Sequence, residues 1–278
     1  MGFEQIKVTL LDHWPKRDRD PIDGDRAIAN SAWVSTYDLE KVYQKSPDEV
    51  FRVVNQIIDH SHTTPLETVW MNFFITTPIF VERQADKVRQ SVQMQDFRIE
   101  WQEGAFGRHG ITQNELSLRY RTAPDRHFSL PEDVGSIMSE VAPDKAQDIV
   151  AKYEDILTEQ HSTYKGWLDL FPAEWKKPGH PRNQDYRRCR EVLRGILGTS
   201  FLTDMRLILN LNAFEHMMNQ RLPGTAQPES RVTAYWMLRE VQDHGVAPEA
   251  VGRMFRKNLW DEHCYQIETI YLPVSDSK

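Results

Sequence analysis

Cysteine is nearly absent. Cys189 and Cys264 are the two in 278 residues, too few for a disulfide framework. Long apolar runs are missing too: no stretch reaches the ~20 residues of a membrane span, and Met1 to Thr9 holds no signal-peptide core. Positive charge is short, with a formal net of −7. That excludes the broad basic surface of a general nucleic-acid binder, though a few local arginines can still hold one phosphate. No glycine-rich phosphate loop is present, so neither a Walker nor a Rossmann site is supported. These absences predict a cytoplasmic protein with no nucleic-acid or membrane partner. Its 40% hydrophobic and 10% aromatic content suffices for one large domain or two small ones.

The patterning that is present mixes strand and helix. Residues 5–11 alternate as a first strand, and the charged stretch 12–25 reads as loop. Ser46-Pro47-Asp48-Glu49 opens a helix: Ser46 caps, Pro47 suits the first helical position and Glu49 completes a capping box. Val50, Val53, Val54, Ile57 and Ile58 form its apolar stripe. Residues 68–77 read as a mostly apolar strand that Pro78 ends, with a helix over 81–88 and an irregular polar segment over 90–110. Helical spacing covers 142–171 and stops at Pro172, and 176–185 is loop. A helix is predicted over 191–221 with a break near Gly198, another over 228–244 ended by Gly245, and a last one over 247–258.

Three clusters of polar residues stand out. In T-Q-N-E-L-S-L-R-Y, residues 112–120, an extended backbone puts Glu115, Ser117 and Arg119 on one face and Leu116, Leu118 and Tyr120 on the other. A solvated strand edge with an ion pair and a binding surface both answer to that pattern. In 201–221, Leu207, Leu211, Phe214 and Met218 repeat at core spacing. Asn210 and Arg221 lie about three turns and about 16 Å apart on nearly one face. Asn212 and His216 are neighbours four apart; a merely solvated polar face gives the same spacing. His60 and His62 form H-S-H, but a metal site needs further ligands that the nearby residues do not supply, so no metal is expected. Cys189, in R-R-C-R-E, has flanking arginines that favour a thiolate, although such a cysteine is also tolerated at a helix start.

Taken together these pieces resemble the flavin-dependent thymidylate synthase family. H-T-T-P-L-E at 62–67 is similar to the family's histidine-threonine-proline-glutamate turn. P-I-F-V-E-R-Q at 78–84 is similar to the approach to its signature, and N-E-L-S-L-R-Y at 114–120 to the signature's second half, Asn-Glu-x-Ser-Gly-Arg-Tyr. R-G-I-L-G at 194–198 resembles Arg-x-x-Leu-Pro, and the spacing onward to Asn210, His216, Arg221 and A-Q-P-E-S-R at 226–231 runs without a gap. The resemblance spans about 28–240, with A-W-V-S at 32–35 a faint start. Departures are definite. Lys87, Val88 and Arg89 stand where the signature has Arg-His-Arg, about twenty residues (90–110) then intervene, and Arg108-His109-Gly110 is a second partial match. Leu118 replaces the signature glycine, Asn212 a usual arginine and Gly198 the proline.

The resemblance implies an α+β fold: one domain over 1–278 with a mixed or antiparallel sheet packed against long helices and an insertion at about 90–110. It implies an enzyme that methylates C5 of a uridine monophosphate, dUMP or UMP. Methylenetetrahydrofolate would supply the carbon, reduced FAD the hydride and NADPH the electrons that refill it. Diverged relatives acting on UMP belong to polyoxin-type nucleoside-antibiotic biosynthesis. A flavin- or nucleotide-binding protein without catalysis is a further alternative. Arg221 would bind the pyrimidine ring as the catalytic residue. Gln84, Lys87, Glu115, Ser117, Leu118, Arg119 and Arg194 would contact the nucleotide, with Ser117, Arg119 and Arg194 on its phosphate. His62, Thr64, Arg89, Asn114, Glu115, Asn210 and His216 would contact flavin. Sites of this family form at subunit contacts of a homotetramer and use no cysteine thiolate, and neither Cys189 nor Cys264 falls in a matched motif.

Overall fold

The computed structural model describes residues 3–16, 20–33, 41, 44–82, 111–115 and 132–272, with backbone alone for 4, 111–115, 132 and 133. The architecture is α+β. Four strands, β1 (Lys7–Trp14), β2 (Trp70–Pro78), β3 (Ile111–Glu115) and β4 (Leu202–Asn210), form one sheet in the order β1-β2-β4-β3. The described helices are α1 (Asp23–Trp33), α2 (Pro47–Asp59), α3 (Glu132–Val141), α4 (Ala146–Asp169), α5 (Asn183–Leu193), α6 (Leu211–Arg221), α7 (Pro228–Asp243), α8 (Pro248–Lys257) and α9 (Trp260–Ile270). Two compact units emerge. One gathers the described residues of 3–5, 77–82, 115 and 132–204; the other gathers those of 6–76, 111–114 and 205–272.

In the second unit β1 and β2 pair antiparallel, from Lys7 opposite Thr76 to Trp14 opposite Trp70, with an irregularity between Leu10 and Asp12. Strand alternation shows directly. Met71, Phe73 and Ile75 of β2 and Met205, Leu207 and Leu209 of β4 are buried, whereas Phe74 and Arg206 are exposed. Arg206 Nε donates to Asn72 Oδ1 at 2.9 Å. Phe73 stacks on Phe214 of α6 with ring centroids 6.4 Å apart, and Phe214 meets Trp260 of α9 edge-on at 6.4 Å. α7 adds Val232, Leu238 and Val241, all fully buried.

A capping arrangement joins α1 to α8. Ala247, at φ 43°, precedes α8 and has no side chain able to cap it. Asp25 of α1 does so instead, its carboxylate accepting from Glu249 N (3.0 Å) and Ala250 N (2.8 Å). The chains approach so closely that a Cβ on Gly24 would lie 2.8 Å from Ala247 Cβ.

In the first unit Tyr164 and Leu168 of α4 pack with Tyr186 of α5, flanked by Phe171 and Trp175. Leu157 packs on Phe201 and Ile79. After β2, Ile79 N–H donates to Phe201 O (2.9 Å) and Phe80 N–H to Thr199 O (3.1 Å).

Several sequence expectations are corrected. β1 runs on through Trp14 and α1 begins at Asp23, so 12–25 is not all loop. Residues 202–210 are strand rather than helix. The run M-R-L-I-L satisfies a period of two inside the sheet, and the step from Leu207 to Leu211 crosses an element boundary. Neither α3 nor α9 was anticipated, and α5 begins at Asn183, inside the stretch 176–185 read as loop, and ends at Leu193. Helices at 47–59, 146–169, 228–243 and 248–257 match the reading, and Gly245 takes the left-handed conformation (φ 62°) just past α7. Residues 79–82 are helical; the rest of the helix expected to Val88, and the segment 90–110, lie outside the described residues.

Candidate functional site

α2 ends in a left-handed turn made without glycine. Ser61 adopts φ 57°, Ser61 N–H donates to Ile58 O (3.1 Å), and His62 N–H reaches back to Ile57 O (2.9 Å). This paired closure is the Schellman pattern, which satisfies carbonyls at the helix end. It presents His62 beside His60, the rings stacked 6.2 Å apart at 22°. The chain then enters a 3-10 turn, Thr64–Thr68.

α6 supplies the facing wall. Asn210, extended at φ −85° and ψ 168°, ends β4, and its Oδ1 accepts from Ala213 N at 2.9 Å. This cap starts the helix where the strand stops. Asn212, Glu215, His216 and Asn219 then follow at offsets of three, four and seven, one face of a helix. With Ile57, Ile58, Ser61, His62, Thr63, Leu66 and Lys257 they line a cleft of about 220 Å³ within the second unit.

The cleft is hydrogen-bonded from behind. Gln220 Nε2–H donates to His216 Nε2 (2.8 Å), Asn258 Nδ2–H to Glu215 Oε1 (3.0 Å), and Trp260 Nε1–H to Asn219 Oδ1 (2.7 Å). Lys257 Nζ donates to Ile58 O and to Ser61 Oγ (3.1 Å), tying α8 to the turn that carries His62.

Arg221 is the last residue of α6 and is half-buried; burial lowers its pKa from the ordinary guanidinium value. The next carbonyl, Leu222 O, accepts from Nε of the buried Arg231 at 3.0 Å, and Arg231 Nη2–H donates to Gln266 Oε1 at 3.1 Å.

His62 and His216, read as flavin contacts, meet in the cleft. Thr64 opens the adjoining turn and is exposed. Asn210 is buried 3% exposed, its oxygen spent on the cap rather than lining the cleft. Arg194 stands exposed after α5, in the first unit. Asn114 and Glu115 end β3. Gln84, Lys87, Arg89, Ser117, Leu118 and Arg119 lie outside the described residues, as do Val88, Arg108 and His109. Sequence reasoning missed Glu215 and Asn219, although their spacing with Asn212 and His216 was a readable signal, and it missed Lys257, for which no local signal exists. Burial pushes the Cys264 thiol up to about 11, so it is overwhelmingly protonated near neutrality. Among the described residues no three His, Cys, Asp or Glu are placed to hold a metal, and no helix is long and apolar enough to cross a membrane.

The sequence model of the family described as Thymidylate synthase complementing protein matches residues 9–249. The chain belongs to this family. His62, Thr64, Arg194, Asn210, His216 and Arg221 all fall inside the matched range, and Lys257 falls beyond it. Among individual relatives, the flavin-dependent thymidylate synthase of Rickettsia bellii (strain RML369-C) is 26% identical over 240 residues, 85% of this chain and 74% of that protein. That of Thermotoga neapolitana (strain ATCC 49049 / DSM 4359 / NBRC 107923 / NS-E) is 24% identical over 253 residues, 91% and 90% of the two chains. In three dimensions the chain resembles the crystal structure of a UMP/dUMP methylase, PolB, from Streptomyces cacaoi bound with 5-Br dUMP. The TM-score is 0.60 at 19% identity, over 91% of this chain and 95% of that one. That likeness gives the family chain its fold.

Proposed function

We propose that the protein is a flavin-dependent uridylate C5-methyltransferase of the thymidylate synthase type, acting in the cytoplasm on dUMP, with methylenetetrahydrofolate as carbon donor. The observation that carries this reading is the convergence of His62 and His216 on one polar cleft in a chain matched to the family over 9–249. That match spans most of the chain, which supports one such domain over 1–278 with an insertion at about 90–110.

The cleft's donors suit a flavin dinucleotide. Two imidazoles, two side-chain amides and one ammonium match the carbonyl, ring-nitrogen and phosphate acceptors of FAD. His62, His216 and the Thr64 turn would hold it, with Arg89, Asn114, Glu115 and Asn210 completing the set. When bound and reduced, the flavin supplies the hydride that completes the methyl group, and NADPH restores it.

Arg221 is the catalytic residue in this reading. Its guanidinium lies against the pyrimidine carbonyl and N3 and stabilises the negative charge that develops there, which makes C5 nucleophilic toward the one-carbon unit. Half-burial strengthens that interaction by excluding water. Ser117, Arg119 and Arg194 hold the phosphate dianion, with Gln84, Lys87, Glu115 and Leu118 around the nucleotide. No thiolate attack on C6 is required, in keeping with the protonated Cys264. Assembly as a homotetramer is supported by an apolar groove of about 420 Å³ on the first unit, where Trp167, Leu170 and Val192 lie exposed, surface of the kind that subunit contacts cover.

Acceptance of UMP is a second reading, favoured by the fold likeness to a UMP/dUMP methylase. Tritium release from C5-labelled dUMP and UMP, run side by side on yellow purified protein, tests both. Release with reduced flavin and methylenetetrahydrofolate is expected, and the faster nucleotide names the sugar. A colourless protein that releases none from either is a different kind of protein, and a yellow one that releases none is a binding protein.

A further inference from the structure

The cleft at the end of α2 is smaller than a site that swallows a whole cofactor. Pockets enclosing a drug-sized ligand measure roughly 300–1,000 Å³, against about 220 Å³ here. It therefore has room for one part of a larger molecule. Lys257 is the only lysine or arginine among the described residues lining it. Two of its three N–H donors are used, on Ile58 O and Ser61 Oγ, and these bonds fix the ammonium against the turn that carries His62. Among the described residues no acceptor takes the third. Arg253, on the same helix, is committed to Asp59 through two hydrogen bonds of 2.8 and 2.7 Å. Glu215 is the one carboxylate among the described residues lining it, and its Oε1 is occupied by Asn258. Asn212 lies in the first turn of α6, the positive end of that helix dipole.

We propose that Lys257 is a cofactor-binding residue: the cleft between α2, α6 and α8 takes the diphosphate of the flavin dinucleotide, and Lys257 is the cation that holds it. The proposal rests on the flavin reading above, and it goes beyond the family match because Lys257 lies outside 9–249. It also gives the departure at Asn212 a physical meaning. A position that carries a neutral amide here shares its cleft with a lysine delivered by a different helix.

The test compares FAD with riboflavin, which has the same ring and no phosphate, by fluorescence titration of the wild-type protein, K257M and K257R, with the melting temperature recorded for each. A charge-assisted hydrogen bond to phosphate is worth enough that K257M should weaken FAD about tenfold. Riboflavin should stay within about twofold, and K257R should recover most of the loss because it keeps the charge. Inorganic pyrophosphate should compete with FAD on the wild-type protein and lose that ability on K257M. Equal weakening of FAD and riboflavin, together with a lower melting temperature, would mean that Lys257 only tethers the Ser61 turn, and the proposal fails. It fails too if K257M leaves FAD untouched, or if K257M instead weakens dUMP relative to deoxyuridine. A wild-type chain that binds neither flavin removes the functional reading itself and this proposal with it.

Discussion

Asp25 shows how much one side chain can be asked to do. It is fully buried in α1 and serves as the cap that Ala247 cannot provide for α8. Burial pushes its pKa up from 3.8 to about 6, against the lowering effect of the two backbone N–H donors. Between those values the folded chain keeps a proton that the unfolded chain has released, so stability falls as pH rises and the loss is complete above about pH 6. The shift corresponds to an order of 3 kcal/mol. Urea unfolding should therefore show the wild type gaining stability relative to Asp25→Asn, which has no titrating group at this position, as pH falls from above about 6 toward about 4; a pH-independent difference would mean that Asp25 is charged throughout. None of this was readable from A-I-A-N and its neighbours, because the partner is more than two hundred positions away. Ser46 is the opposite case. Its partner Glu49 is three residues on, and both hydrogen bonds of the capping box are present as the sequence implied.

Between elements, what decides legibility is whether a pattern ends where an element ends. The apolar residues Leu207, Leu211, Phe214 and Met218 keep helical steps across the boundary between β4 and α6, so a helical period absorbed the strand. The boundary was nevertheless marked by Asn210, a preferred capping residue, whose side chain does cap α6. The cleft-facing stripe of α6 was visible as spacing, yet spacing cannot say whether a polar face meets solvent or another helix; α2 and α8 decide that. The far end of α6 depends on Arg231, which joins Leu222 O to Gln266 of α9 and lies 5.4 Å over the Tyr271 ring. Arg231→Lys keeps a charge but lacks the planar fork. It should cost about 2 kcal/mol by loss of these charge-assisted bonds and lower turnover, since Arg221 directly precedes the carbonyl released. Thermal unfolding and tritium release measured together check it. A variant that melts lower but turns over normally would show that the arginine fixes α9 without positioning Arg221.

For the whole molecule, the family could be read from the sequence because its motifs are distributed: H-T-T-P-L-E, N-E-L-S-L-R-Y and the run from Arg194 to Arg231 keep their order and much of their spacing. What could not be read is which residues share one pocket, since Lys257 joins His62 and His216 only through the packing of α8 on α2. The proposed phosphate and pyrimidine contacts, Arg119 and Arg221, come from distant parts of the chain, and if the active site forms at subunit contacts they are drawn from different copies. Arg119→Ala and Arg221→Ala should each abolish tritium release, because each removes a charge from a site that binds a phosphate dianion or a developing anion. Unfolded together and refolded as mixed oligomers, the two inactive chains should regain part of the wild-type rate, because some sites then receive both intact arginines from neighbouring protomers. Chains that draw both from the same copy stay inactive however they are mixed. Sedimentation run on the same samples separates that outcome from a failure to assemble: inactive mixed tetramers would place the whole nucleotide site within one protomer, whereas a wild-type protein that is active as a monomer would remove the subunit-contact reading altogether.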